Sequence, residues 1–326
     1  MVAPLNAEAA ASGHITLLFS IQDTSNNPLD QGSRGVGLCI DADQPTCNVR
    51  VWGHKNKDKI EEHYELTELH NAVISEISIF NPEIMGYNWR IEQECSLPQQ
   101  QGFGLSAAGS LACAMALQKA LGVDSSIAHI RSFQIAHLVE RRLSGGLGDV
   151  AALWAGGVDL RREPGCPFLT EDYGGNGEVE SWHHPIQMLV TWRNTKTRHT
   201  SSYIDNPEWK VRIRDCGEEV IAPLLLGDWN LNRWTEILDS SKIFAEQSGL
   251  SSDAGRAELI EITNDAITAS NVNATALLCM LGESVVIIPN NTQSSFSVNE
   301  IKSMTEKLEF ADLQSRIVHL SNNTLR

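Results

Sequence analysis

Apolar and polar positions along the chain follow two periods, and the places where the period changes divide it into elements. At 89–97 the apolar residues Ile91, Cys95 and Leu97 fall on one face of a strand, which must stop at Pro98. From Leu111 the run Ala112-Cys113-Ala114-Met115-Ala116-Leu117 is small and apolar on every side, as in a helix buried all round, and it closes at Leu121-Gly122. Over 126–143 the spacing of Phe133, Ala136 and Glu140 is helical. Further on, 186–192 reads as a strand and 283–289 as a buried strand carrying Val285, Val286, Ile287 and Ile288. The segments 233–249, 251–267 and 297–308 read as helices. Strands and helices in this mixed order predict an α+β fold. Breakers concentrate at 161–181, in Pro164-Gly165-Cys166-Pro167 and Tyr173-Gly174-Gly175-Asn176-Gly177. That segment is the best internal boundary, dividing an N-terminal domain, 1–165, from a C-terminal domain, 183–326.

Composition narrows the setting. A chain of 326 residues with 42% hydrophobic content can bury one large core or two medium ones. A formal net charge of −16 argues against nucleic acid or an anionic membrane as the main partner. The seven cysteines stand singly with no C-x-x-C, which suits packed thiols in a reducing cytosol rather than a disulfide framework or zinc ribbon. No apolar run is long enough to span a membrane. The first eleven residues lack a basic n-region and include Glu8, so a cytoplasmic location without a signal peptide is expected. His183 and His184 lie in a polar loop and read as solvated.

The chemistry concentrates in Pro98-Gln99-Gln100-Gln101-Gly102-Phe103-Gly104-Leu105-Ser106-Ala107-Ala108, which runs into the buried helix. Glycine lets backbone amides turn toward a ligand, and the helix behind adds unpaired N–H groups and the positive end of its dipole. Together they make a phosphate site, so an ATP-using enzyme is the first expectation. No G-x-x-x-x-G-K-[ST] occurs, and the dinucleotide glycine spacing fails at Ala107. Gly104-Leu105-Ser106-Ala107-Ala108 is one substitution short of a hydrolase nucleophile elbow, but the preceding strand ends too early at Pro98. A plain packing turn also fits the glycines.

Two acidic residues follow. Glu140 shares a helix face with apolar neighbours and needs a partner; a metal ion is one answer and Arg141 or Arg142 the other. Asp149 follows Ser144-Gly145-Gly146-Leu147-Gly148, where an aspartate serves either as a turn and cap residue or as an active-site carboxylate.

These motifs resemble those of the GHMP kinase superfamily. Its second motif reads P-x-x-x-G-L-G-S-S-A-A, and five of the seven tail positions match here, with Phe103 and Leu105 departing. Ala11-Ser12-Gly13-His14 is similar to its first motif, A-P-G-K, with serine and histidine in place of proline and lysine. Gly13-His14-Ile15-Thr16, Gly32-Ser33-Arg34-Gly35-Val36-Gly37, Gly146-Leu147-Gly148-Asp149-Val150 and Met280-Leu281-Gly282-Glu283 look like the pantoate kinase branch of archaeal coenzyme A biosynthesis. The last departs from the wider pattern, in which the third motif is a run of glycines.

The resemblance implies a two-domain fold with the active site in the interdomain cleft. It implies ATP and Mg²⁺ as cofactors and pantoate as the small-molecule substrate; a homodimer is one open assembly. Pro98, Gly102, Phe103, Gly104, Leu105, Ser106, Ala107 and Ala108 would form the ATP loop. Ser106 and Glu140 would hold Mg²⁺, and Asp149 would orient and deprotonate the acceptor hydroxyl. Arg34 would meet the pantoate carboxylate, with His14 near the hydroxyl. Another kinase or a decarboxylase of the superfamily, acting on a mevalonate- or homoserine-like substrate, and a non-catalytic nucleotide sensor are the alternatives.

Overall fold

The computed structural model describes residues 5–55, 65–193 and 206–326. Its first two strands, β1 (Leu5–Ala11) and β2 (Gly13–Phe19), are one extended run broken only at Ser12. β1 pairs with β4 (Cys47–Lys55), which pairs with β5 (Tyr87–Cys95), in a three-stranded antiparallel sheet. β2 instead pairs with β3 (Gly35–Asp41) and belongs to a second sheet of eight strands. Besides β2 and β3, that sheet contains β6 (Val158–Glu163), β9 (Glu178–Trp182), β10 (Gln187–Arg193), β11 (Ala274–Leu278), β12 (Ser284–Pro289) and β13 (Leu313–Leu320). Its order is β11-β12-β10-β13-β3-β6-β9, and every recorded pairing is antiparallel.

The small sheet is covered by α2 (Leu105–Ala120), on which α1 (Glu68–Phe80) and α3 (Ser125–Arg142) pack in turn. In α2 only Ser106, Lys119 and Ala120 escape burial, which is why its residues are small: helix and sheet approach closely enough to leave room for little beyond alanine. Asp124 caps α3 by accepting from the amides of Ser126 and Ile127. The short α4 (Asp149–Ala155) touches both α2 and the large sheet. On the large sheet pack α5 (Pro207–Ile221), α6 (Trp234–Gln247), α7 (Ala254–Ala269) and α8 (Val298–Phe310), the last with a Ser297–Glu300 capping box.

Two apolar clusters result. One includes Ala11, Val49, Leu111, Phe133 and Val139 between the small sheet and its helices. The other follows the large sheet and takes residues from both ends of the chain, Ile15 and Leu38 beside Val286 and Val318. The expected division at 165 and 183 cuts across this sheet, since β2, β3, β6 and β9 lie before or at the cut and the other four strands after it. The breaker-rich segment carries the end of β6, a short hairpin of β7 (Phe168–Thr170) and β8 (Tyr173–Gly174), and the start of β9. Glycines there make turns between short strands. Among the described residues no helix is long and apolar enough to cross a membrane.

The passage of the chain from one sheet to the other is fixed at Ser12. Its hydroxyl donates to Asp41 Oδ2 at 2.9 Å, and the same carboxylate accepts from Ser321 Oγ at 2.8 Å and Arg326 Nη2 at 2.7 Å. Asp41 Oδ1 accepts from the Thr46 amide at 3.0 Å. Paired backbone bonds between Ala10 and Arg326 complete the tie. Each buried donor left without its acceptor costs about 1–3 kcal/mol. Asp41→Ala is therefore expected to lower unfolding stability by about 3 kcal/mol, read as an earlier urea midpoint with an unchanged m-value.

Candidate active site

A cavity of about 380 Å³ opens between the two apolar clusters, within the size range of small-molecule sites. The glycine loop forms one wall. Gly104, the N-cap of α2, sits in the left-handed region at φ 64°, and a Cβ there would lie 3.0 Å from three atoms of His14. No side chain caps this helix, and Ala108 is the first residue whose amide bonds back, to the Gly104 carbonyl. The first-turn amides of a sixteen-residue helix thus face the cavity wall with their dipole.

Of the residues expected in the ATP loop, Gly102, Phe103, Gly104, Leu105 and Ser106 line the cavity. The side chains of Ala107 and Ala108 do not, because they are fully buried in the packing of α2. Pro98 is also outside the lining, at the exit from β5. Phe103 is almost wholly buried and meets the ring of Trp192 edge-on. Met280 and Leu281 close the opposite side, in a turn whose carbonyls accept from Arg256.

Ser106 donates its hydroxyl to Glu140 Oε1, and the Gly146 amide donates to Glu140 Oε2 at 2.6 Å. This serine has a carboxylate partner rather than a histidine, which removes the nucleophile-elbow alternative. Glu140 is 1% exposed, and no described lysine, arginine or histidine forms an ion pair with it. The rival partners are occupied elsewhere: Arg142 pairs with Glu76, and Arg141 Nε bonds Gln31. Burial, with a contribution from the Asp149 charge, pushes the Glu140 carboxyl up to about 7 against the opposing Ser106 and Gly146 bonds and the charge of Arg141. A buried carboxylate and a hydroxyl in that state offer hard oxygen donors to a cation.

Asp149 opens α4 on the far side of the same turn. Gly146 has to be glycine, since a Cβ there would lie 2.1 Å from Asp149 Oδ2. Asp149 Oδ1 is 2.6 Å from His14 Nδ1, and His14 Nε2 is 2.9 Å from Asp159 Oδ2. The far oxygen of Asp159 accepts from Arg161 Nη1. Burial acts to lower the His14 pKa, but the Asp159 charge and hydrogen bonds to both carboxylates outweigh it and raise the value. Burial likewise acts to raise Asp159, while Arg161 and His14 bring it below the ordinary carboxylate value. The cluster is thus a doubly protonated imidazolium held between two carboxylates, with an arginine beyond.

Two expected substrate contacts need correction. His14 has no exposed surface, so it does not reach a substrate hydroxyl; it acts through Asp149. Arg34 is turned away from the cavity, with Nη1 2.9 Å from Glu218, Nη2 2.9 Å from Glu163, and Nε donating to the Arg162 carbonyl. Its charge is already spent on two carboxylates.

Sequence reasoning missed Asp159 and Arg161. Their signal is Val158-Asp159-Leu160-Arg161, two opposite charges two apart on one face of a strand whose other face begins with Val158 and Leu160. Arg161 is 1% exposed, and its Nε and Nη2 have no hydrogen-bond partner. It lies directly behind Gly148, whose Cβ position is 2.6 Å from Nε; Gly148 and the neighbouring Ser33 line the cavity. Gln93, Gln99 and Thr67 at the other end of the cavity were also not singled out.

Residues 69–157 match the model of the GHMP kinases N terminal domain. A pantoate kinase of Methanospirillum hungatei JF-1 is 32% identical over 272 residues, spanning 80% of this chain and 82% of that protein. A pantoate kinase of Methanocaldococcus jannaschii is 28% identical over 227 residues, 66% of this chain and 72% of that protein. A solved structure described as a phosphotransferase related to the CoA biosynthesis pathway superposes with a TM-score of 0.74 over 98% of both chains at 22% identity, a likeness of fold.

The charge cluster has a pH signature. His14 is raised, so its stabilising effect is complete below its unfolded value of 6.5 and fades as pH climbs through the higher folded value. His14→Gln, which leaves two carboxylates without their shared cation, is expected to cost about 3 kcal/mol near pH 6. The gap in Tm between variant and wild type should narrow as pH rises above the unfolded value of 6.5, measured by thermal unfolding across a pH series.

Proposed function

The chain belongs to the GHMP kinase superfamily, in its pantoate kinase branch, and from that premise we propose that it transfers the γ-phosphoryl group of ATP to the terminal hydroxyl of pantoate, forming 4-phosphopantoate for coenzyme A biosynthesis. The observation that carries the reading is a single cavity with the open amide end of α2 on one wall and Asp149, held by a buried imidazolium, on another.

Phosphoryl transfer needs positioning and charge neutralisation more than covalent help. The first-turn amides of α2 would hold phosphate oxygens at no cost in reorganisation. Ser106 and Glu140 fit a divalent cation, because a buried carboxylate lacking a cation gains most from one. Bound Mg²⁺ would offset charge on the phosphate oxygens. Asp149 has one oxygen committed to His14 and one directed at the Gly146 turn that lines the cavity, free to accept the hydroxyl proton. Phe19 and Leu147 would face the methyl groups of pantoate. Arg161, 1% exposed and behind the lining at Ser33 and Gly148, acts on the site by holding Asp159.

A coupled ADP-release assay with pantoate, mevalonate, homoserine, shikimate and galactose side by side should show turnover with pantoate alone; turnover with another acceptor would overturn the substrate assignment. Asp149→Asn should cut kcat by about 10²–10⁴ with little change in ATP affinity by calorimetry. Ser106→Ala and Glu140→Gln should each raise the Mg²⁺ concentration needed for half-maximal rate.

Arg161→Lys, which keeps the charge beside Asp159 but loses the planar fork, should lower kcat through the Asp159–His14–Asp149 chain and leave the KM for ATP in place. Arg34→Ala should leave the KM for pantoate unchanged; a rise of about tenfold would return the carboxylate to Arg34.

A further inference from the structure

Outside the charge cluster, one pair of reactive groups is unused by the chemistry above. Cys47 on β4 and Cys95 at the end of β5 are directly opposed in the antiparallel register, with Sγ atoms 3.8 Å apart. The Ser96 amide bonds the Thr46 carbonyl at 2.9 Å, which makes the adjacent Cys47–Cys95 pair a non-hydrogen-bonded one. Such pairs bring Cα atoms to about 4.5 Å and their side chains closest together, inside the Cα range of disulfides. Closing the sulfurs to about 2 Å therefore asks for side-chain rotation rather than rebuilding of the sheet.

The two thiols differ in the way that directed exchange needs. Cys47 is fully buried, while Cys95 is half-buried at the strand end. The Cys47 thiol, and then the Gln93 and Gln99 amides, bring the Cys95 thiol down to about 6 against the opposing effect of burial. Gln93 Nε2 stands 3.6 Å from Cys95 Sγ, and its Oε1 is 3.3 Å from His70 Nε2. Cys39 and Cys113, fully buried and pushed upward by that burial, lack such support. Gln93 and Gln99 both line the cavity, and Gln93 also rests against Gly109 of α2.

We propose that Cys47 and Cys95 form a reversible thiol–disulfide couple, oxidised by low-molecular-weight disulfides, that sets the nucleotide affinity of the cavity through Gln93 and Gln99. The Cys95 thiolate attacks one sulfur of the small disulfide, forming a mixed disulfide and releasing one thiolate, which takes up the proton Cys95 gave to solvent. Cys47 then gives up its proton and attacks Cys95 Sγ, forming the Cys47–Cys95 bond and expelling the second thiolate, which is protonated in turn. The protein loses two protons and two electrons, and the small disulfide takes them up to become two thiols. Once Cys95 has no thiolate to accept from them, the two glutamine amides lose a partner at the edge of the cavity. The consequence for nucleotide rests on the reading of this cavity as the ATP site.

The test equilibrates the full chain in oxidised and reduced glutathione and maps disulfides by mass after blocking free thiols. Binding of a fluorescent ATP analogue is measured without any acceptor, so a wrong acceptor assignment leaves both readouts standing. The expected result is a Cys47–Cys95 link, reversed by dithiothreitol, with affinity for the analogue about tenfold weaker in the oxidised form. Cys95→Ala, which removes the sulfur that accepts from both amides, should bind as the oxidised wild type does and show no response to oxidised glutathione, while Cys47→Ala should bind as the reduced wild type does and stop at the glutathione mixed disulfide on Cys95. Failure of the linked peptide to form, a link between other cysteines, or equal affinity in the two redox states would each overturn the proposal.

Discussion

An imidazolium with no exposed surface, gripped at both nitrogens by carboxylates, is the interaction on which the cavity depends. A buried charge is tolerable only when paired and hydrogen-bonded, and here each charge serves the next: Arg161 holds Asp159, Asp159 holds His14, and His14 holds Asp149. The four residues come from β6, β2 and the start of α4, so the pairing also fixes where α4 begins. Only Asp149, with a side chain 19% exposed, reaches toward solvent. A carboxylate committed through one oxygen keeps the other in one place, which is what a proton acceptor requires.

The two halves of the cavity are built on different principles. At the Asp149 end, position comes from charge pairs within the large sheet. At the loop end it comes from close packing, with α2 set against the small sheet through alanine, glycine and cysteine and its first turn left open. The third motif joins the two: Met280 donates its amide to the Thr16 carbonyl on β2, and Ser284 donates its hydroxyl to the Gln101 carbonyl in the loop. The absence of a glycine run at Met280-Leu281 is met by Leu281 adopting φ 67° itself, with Arg256 bonding the carbonyls of Leu281 and Gly282.

Local pattern made much of this legible. The periods of α2, α3, α6, α8, β10 and β12 place those elements within a few residues of their observed bounds, because each is long or strongly apolar. The glycine loop, Ser106, Glu140 and Asp149 lie at one cavity, and their motifs are contiguous enough to read in one dimension. What escaped was pairing between distant segments. His14 and Asp149 are 135 positions apart, and only the fold shows that the histidine backs the aspartate rather than the substrate. Arg34 misled for the same reason: Glu218, which neutralises it, lies 184 positions downstream on α5. Short strands between breakers at 161–181 were invisible because glycine signals the turn and not what it connects.

The passage of the chain between sheets at Ser12 has a bearing on synthesis. β1 and β2 leave the ribosome well before the segments that secure them: Ser12 is tied through Asp41 to Ser321 and Arg326, and β3 takes β13 as a neighbour. Contacts separated by some 309 positions must wait for the last of those residues to emerge. Until β13 arrives, the end of β3 at Ile40 and Asp41 and the facing edge of β10 from Gln187 to Arg193 lack their neighbour, a template for unwanted strands. For this architecture, the interval before residues 313–320 arrive is the period of greatest exposure to aggregation, and a holding chaperone would act then.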